Sequence, residues 1–372
     1  MAIALAVMVS VVEEYDPDRY ASRPWEYGDY REAASLGGNG AVSATGALEM
    51  AEIDGVSMVH AKDVGRGIIT YRSGAVESVE VGKAKVDVFL LIGQSNANYR
   101  PSTADAATVD PKPFPGTAYY YGTAESCSQW DDPSLNAFMD FALPDGSSRL
   151  GDKMPVIAAT YHEETGRKML LIDSAIGGTR IITFVPPDGD NWVRATTAVT
   201  TTMAALEASE YFEATGTYAY MFIQGESDGT HSTTKAAYME RFMKMHDAIL
   251  AGGLGAEFHH CFISLTHKGT TSLAQSQLAE DHPDTITVAS SAALTFTVEN
   301  GLMNEDTYHY TQAGDNIIGK DLGSACAGYV EEAHQSTLSL LIHAIPAVLA
   351  AAGIAAIAVY IIQFRQRYRK WK

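Results

Sequence analysis

The chain has 372 residues, a formal net charge of −19, 46% hydrophobic residues and 19% charged residues. That is room for one large domain or two modest ones with a sizeable core, and the apolar fraction excludes disorder as the main state. An acidic chain with no basic stripe before residue 364 repels phosphate, which argues against nucleic acid, and three cysteines (Cys127, Cys261, Cys326) are too few for a disulfide scaffold or a zinc ribbon.

Residues 1–34 read as an N-terminal apolar segment and a linker. AIALAVMVSVV (2–12) is too short to span a bilayer and has no basic residue before it. A signal fragment, a short helix against a C-terminal anchor and a buried strand remain open for it. Residues 13–34 are polar and aromatic with no steady period. Residues 35–85 read as a small β-rich region. In GIITYRSGAVESVEVG two alternating runs flank Arg72-Ser73-Gly74, the pattern of a β-hairpin.

From Val86 the texture changes, and residues 86–332 read as one α/β domain. Apolar runs occupy 86–92 (VDVFLLI), 168–175 (KMLLIDSA), 218–224 (YAYMFIQ), 258–266 (FHHCFISLT) and 284–290 (DTITVAS). Helix-like segments lie between them, such as 233–252 with its terminal Gly. Continuous apolar strands separated by helices predict a parallel sheet covered on both faces. From Leu338 to Phe364 the chain has no Asp, Glu, Lys or Arg over 27 residues, and RQRYRKWK (365–372) adds five basic residues and no acid. A bilayer core needs roughly 20 apolar residues. This pattern predicts a single-pass transmembrane helix at 338–364 and a basic cytoplasmic tail at 365–372, with the catalytic domain outside the cytoplasm. The competing reading is a buried core helix of a soluble enzyme.

In parallel sheets, ligands bind beyond the carboxyl ends of the strands. After the first run comes Gly93-Gln94-Ser95-Asn96, after the second Gly177-Gly178-Thr179, and after the third Gln224-Gly225-Glu226-Ser227-Asp228. Late in the domain comes Asp306-Thr307-Tyr308-His309. A serine hydroxyl needs a base, which His309 can supply, and an imidazole needs a partner for its other nitrogen, which Asp306 can supply. A carbonyl oxygen under attack gains charge and needs donors already aimed at it. The Ser95 N–H, the Gly178 N–H and the Gln224 amide are suitable.

GQSN, AIGGT, QGESD and DTYH, in that order, resemble the SGNH hydrolases. More narrowly, they resemble the sialate O-acetylesterase and acetylxylan-esterase (carbohydrate esterase) branch. The resemblance covers about Val86 to Tyr329. It implies a flavodoxin-like three-layer α/β/α sandwich with a parallel sheet, and hydrolysis of an O-acetyl ester on a glycan without metal or other cofactor. Ser95 matches the nucleophile, His309 the base, Asp306 its partner and Gly178 the second-block oxyanion donor. Gln224 stands where the third-block donor is expected, although that block reads GxND elsewhere. Gln94 and Asn96 flank the serine as further oxyanion or substrate-binding candidates. Glu226 and Asp228 are read as loop support. Ala97, Asn98 and Tyr99 stand where the branch often has Met and Gly, which alters the local pocket wall.

Blander readings accompany each residue. Ser95 could cap a helix, and Asp306 could cap the helix starting near Thr311. His259-His260 face opposite sides of a strand and make a poor metal site. Cys261 reads as a buried hydrophobe, and a Cys127–Cys326 bridge is open. Tyr119-Tyr120-Tyr121 could line a sugar site or simply pack. Asp188, Asp190 and Trp192 could contact a polyol. Three functions follow: a membrane-anchored extracellular O-acetylesterase, a lipid or thioester hydrolase, or a cell-surface binding protein on this fold with a weak or dead site.

Overall fold

The computed structural model describes residues 23–98, 105–123 and 136–331. Residues 15–327 form one compact unit. Of a second unit, 1–14 with 328–372, only 328–331 are described.

Among the described residues seven short strands come first: β1 Trp25–Glu26, β2 Tyr30–Glu32, β3 Ala41–Gly46, β4 Leu48–Ile53, β5 Val56–Ala61, β6 Gly65–Tyr71 and β7 Val76–Gly82. They make two sheets, β1-β7-β6-β3 and β2-β5-β4. The β6–β7 pair is the hairpin around Gly74, whose φ of +83° fits the turn. Both sheets bury one shared cluster that includes Trp25, Leu48, Val59, Ile69 and Val81. The sequence reading made 25–32 part of a linker. These residues form strands because they pair with β7 and β5, partners far along the chain that local periodicity does not reveal.

The main sheet has seven strands: β8 Ala84–Gly93, β9 Ala118–Tyr121, β10 Phe138–Asp140, β11 Lys168–Asp173, β12 Phe212–Ile223, β13 Cys261–Ser264 and β14 Ile286–Ser290. Their order is β10-β9-β11-β8-β12-β13-β14, and only β10 runs antiparallel. All five apolar runs are parallel strands. The helices are α1 Ser95–Asn98, α2 Met154–Thr165, α3 Asp190–Ala208, α4 Glu226–Thr230, α5 Lys235–Leu250, α6 Gly269–Asp281 and α7 at 312–331. Alternate residues of β8 (Val86, Val88, Leu90, Ile92) pack with Val199 of α3, Phe242 of α5 and Leu278 of α6 in one cluster. On the opposite face, Phe89 meets Tyr161 of α2, and a Cβ added to Gly319 or Gly323 of α7 would strike Val156 or Thr160 of α2. Helices therefore cover both faces of a mixed α/β fold with a mostly parallel sheet.

The expected membrane helix is corrected. Among the described residues no helix is long and apolar enough to cross a membrane. The last one, α7, carries Asp315, Lys320 and Asp321, and its buried apolar stripe includes Ile318, Leu322, Cys326 and Ala327. The segment 338–364, the tail 365–372, the apolar stretch 2–12 and Cys127 lie outside the described residues.

Several side chains that the sequence offered as possible sugar or polyol contacts are packed in the core. Tyr119, Tyr120 and Tyr121 form β9 and are buried, and Trp192 packs in the main cluster. His259 is exposed, whereas His260 is buried and bonds Thr287 Oγ1 at 2.9 Å. Asp188 and Asp190 are exposed.

Candidate active site

The chain crosses from one side of β8 to the other between β11 and β12, and open α/β sheets form their ligand crevice at such a switch. Gly93 ends β8 with φ +153°, and a Cβ there would lie 2.0 Å from the Ile223 carbonyl oxygen. Only glycine lets β8 and β12 stay this close while the chain turns into α1. Ser95 opens α1 and is half-buried.

His309 reaches Ser95 from a loop 214 residues away, with Nε2 2.9 Å from the serine Oγ. Its Nδ1 lies 2.6 Å from Asp306 Oδ2. Because the carboxylate accepts the Nδ1 proton, Nε2 is left as the acceptor for the serine hydroxyl. The other Asp306 oxygen accepts the backbone N–H groups of Tyr308 (2.8 Å) and His309 (2.9 Å). Partial burial pushes the Asp306 carboxyl up, but these bonds, led by the His309 backbone and ring, outweigh it and hold it below its ordinary value. The tight turn is completed by Thr307 at φ +57° and by Asn304 N–H donating to the His309 carbonyl at 2.8 Å. Ser95, His309 and Asp306 thus stand in one hydrogen-bonded chain.

Gly178 follows β11 with φ +73°, exposed, with open space where a Cβ would stand. Among the described residues, neither its N–H nor that of Ser95 donates to another backbone group.

Gln224, Gln94 and Asn96 are placed differently from the sequence reading. All three are 1% exposed and face inward. The Gln224 Nε2 donates to Asp228 Oδ2 (2.6 Å) and the Thr179 carbonyl (3.0 Å), and its Oε1 accepts from Tyr238 at 2.9 Å. Both hydrogens are engaged, so this amide is a brace between strand ends and not a donor aimed into the crevice. Gln94 Oε1 accepts the N–H groups of Gly225 (3.3 Å) and Ser227 (3.1 Å), fixing the start of α4. The physical reason is burial. Polar groups at crowded strand ends lose water and must pair with one another.

Asn96 joins the two halves of the hydrogen-bonded chain. Its Nδ2 donates to Glu226 Oε1 (2.8 Å) and to the Tyr308 carbonyl (2.9 Å). Glu226 also accepts from Tyr310 Oη at 3.1 Å. Tyr308 Oη touches Thr230 Oγ1. Asn96 therefore ties the nucleophile helix to the histidine loop through a buried carboxylate. Asp228 does the same for the glycine loop, accepting from Ile181 N–H (2.7 Å) and Thr233 Oγ1 (2.7 Å). Asn98 Nδ2 donates to Asp173 (3.0 Å) and the Ala175 carbonyl (3.0 Å), holding α1 against the end of β11.

Sequence reasoning missed Asp173, Tyr310 and His267 as parts of this surround. His267 is half-buried near Glu226 (3.9 Å), and its partial burial pushes its pKa down. A carboxylate at the last position of an apolar strand was the available signal for Asp173.

Asn96→Ala should lower kcat about 100-fold with little change in KM, because a misplacement of about 1 Å costs that much. Stability should fall by about 2 kcal/mol, the worth of a hydrogen bond to a buried carboxylate. Steady-state kinetics with denaturant unfolding checks both. A drop in KM-dependent terms alone would contradict the positioning role.

The fold is similar to that of a protein from Arabidopsis thaliana (15% identity, covering 65% of this chain and 98% of that one, TM-score 0.44). It is similar to a carbohydrate acetylesterase from Xanthomonas citri (17% identity, 77% and 68%, TM-score 0.40). It is also similar to an acetylxylan esterase from Geobacillus stearothermophilus (10% identity, 66% and 95%, TM-score 0.37). No curated protein matches the chain. Residues 85–328 match the family described as SASA, carbohydrate esterase, sialic acid-specific acetylesterase. That span is well over half of the chain and holds all four motifs, and the protein belongs to this family of carboxylic ester hydrolases.

Proposed function

We propose that the protein removes O-acetyl groups from carbohydrate, sialic acid or another acetylated glycan, with Ser95 as nucleophile, His309 as general base and Asp306 as its partner. The observation that carries this reading is the Ser95–His309–Asp306 chain, with contacts of 2.9 and 2.6 Å. Ser95 Oγ attacks the acetyl carbonyl as its proton passes to His309 Nε2. The new negative charge lies on the former carbonyl oxygen, where the Ser95 and Gly178 N–H groups are the available donors. Each such donor contributes about 10²–10³-fold in rate. Collapse of this intermediate breaks the bond to the sugar oxygen, which takes the proton from His309. The acetyl group stays on Ser95. Water then attacks with its proton passing to His309, and acetate leaves as Ser95 Oγ regains a proton.

Acetate release is the test, measured on O-acetylated sialic acid, acetylxylan and O-acetylated peptidoglycan. The expected outcome is release from at least one, with a fluorophosphonate probe labelling Ser95 in the folded protein. Preference for long acyl chains over acetyl would point to a lipid hydrolase. No release together with no labelling would favour a binding protein and overturn the proposal.

A further inference from the structure

A second cavity lies at the opposite end of the main sheet, where the β-rich lobe meets β9, β10 and β12. Its volume is about 210 Å³. Phe212, which lines it, is in register with Ala84 at the start of β8, whereas Ser95 follows the end of that strand. At 3.3 Å per residue, β8 separates the two places by roughly 30 Å. The cavity is therefore not part of the esterase crevice.

Its walls combine flat apolar rings with a few polar groups. The lobe supplies Tyr27, and Tyr30 stacked on His60 at 4.1 Å and 8°. The sheet supplies Phe212, in ring contact with Tyr27 (5.4 Å) and Phe138 (4.8 Å). Tyr119 also lines the cavity. Its hydroxyl is buried without a hydrogen-bond partner among the described residues. It reaches Gly28, another lining residue, where an added Cβ would stand 2.1 Å from it. That oxygen has almost no surface of its own in the cavity, so Tyr119 contributes its ring to the wall.

Asp140 and Arg149 complete the lining. The Asp140 carboxylate accepts the N–H groups of Gly116 (2.5 Å) and Ala142 (2.9 Å), which still leaves lone pairs on both oxygens. The Arg149 Nε donates to the Asp140 carbonyl at 2.8 Å, and its two Nη groups remain as donors.

We propose that this cavity binds one neutral pyranose unit. Three features select that class. The volume, about 210 Å³, lies below the roughly 300–1,000 Å³ of pockets for drug-sized ligands, so the occupant is small. Aromatic walls suit the C–H faces of a pyranose, while a carboxylate and a guanidinium match hydroxyl groups that both donate and accept. The lining opposes one anion to one cation, so an organic cation would meet Arg149 and an organic anion would meet Asp140. The inference does not rest on hydrolysis at Ser95, because its ligand needs no acetyl group. It gives the β-rich lobe a part in function, since Tyr27, Gly28, Tyr30 and His60 of the lobe line the cavity.

The test is saturation-transfer NMR and calorimetry on the whole chain with methyl β-xylopyranoside, methyl β-glucopyranoside and methyl β-galactopyranoside, none of them an ester. Binding of at least one is expected. Arg149→Ala should weaken it about fivefold, and turnover of a small acetyl ester should be unchanged. A folded Arg149→Ala protein that binds as tightly as the parent would overturn the assignment. So would no binding of any pyranoside, or binding only of N-acetylneuraminic acid or of a small organic cation. Loss of the signal after Ser95 is blocked by a fluorophosphonate would place the sugar in the esterase crevice and overturn it as well.

Discussion

Ser95→Ala should lower turnover of a small acetyl ester by about 10⁴-fold or more. The substitution removes the atom that forms the covalent bond and leaves His309 with no hydroxyl to deprotonate. The oxyanion donors and the crevice remain, so activity should stay above the uncatalysed rate. The fold should survive. Ser95 is half-buried, and its side chain loses one hydrogen bond, to His309. That is worth about 1 kcal/mol, so the melting temperature should shift by a few degrees at most. Fluorophosphonate labelling should vanish in parallel. A variant that keeps turnover within tenfold of the parent would exclude the serine mechanism, whatever the family.

Five of the six parallel strands of the main sheet were legible because each is a continuous apolar run, whereas β9 was not. A strand buried on both faces has no alternative composition, and β8, β11, β12, β13 and β14 all announce themselves this way. Ser95, Gly178, Asp306 and His309 were legible for a related reason. They sit directly after strands or in a short polar motif late in the domain, where a parallel sheet opens its crevice. β10, with three residues, and β1, with two, were not legible. Elements so short have no period of their own and exist only through the neighbour they pair with.

The roles of Gln94, Asn96 and Gln224 were misread for a physical reason worth generalising. A polar side chain beside a nucleophile has two uses, aiming at substrate or holding the nucleophile's backbone in place. The sequence places it near the site but does not tell its direction. The decisive fact is the partner: Asp228 and Tyr238, 4 and 14 positions from Gln224, and Glu226, 130 positions from Asn96. In a crevice formed by strand ends these inward bonds set the relative height of Ser95, Gly178 and His309. The positional accuracy that catalysis needs therefore comes from side chains that never meet the substrate.

Lys153→Met should cost about 3–5 kcal/mol of stability, the largest loss expected of any single substitution here. Lys153 precedes α2 and Asp315 lies in the first turn of α7. Their side chains are 0% and 2% exposed and approach to 2.9 Å. Burial pushes the Asp315 carboxyl up to about 6, and the Lys153 charge is the main influence opposing it. Methionine fills the space of the lysine stem but leaves Asp315 as a buried charge without its cation. The loss should depend on pH with a definite sign. Without Lys153 the folded-state pKa of Asp315 stands further above its unfolded value, so the native state takes up the proton first. Stability of the variant should therefore recover as pH falls below that raised folded-state value toward the ordinary carboxyl range, and be poorest above it. The damage should also reach the active site. Asp315 N–H donates to the Thr311 carbonyl (2.9 Å), and Gln312 pairs with the Asp152 backbone (2.8 and 2.9 Å), so this corner anchors α7 just after His309. Denaturant unfolding at pH 5 and pH 8 checks the sign. Lys153→Met with Asp315→Leu, which removes both charges, should regain most of the loss. A single variant that loses less than about 1 kcal/mol, or equally at both pH values, would mean that the pair is dispensable and that α7 is held by its apolar stripe alone.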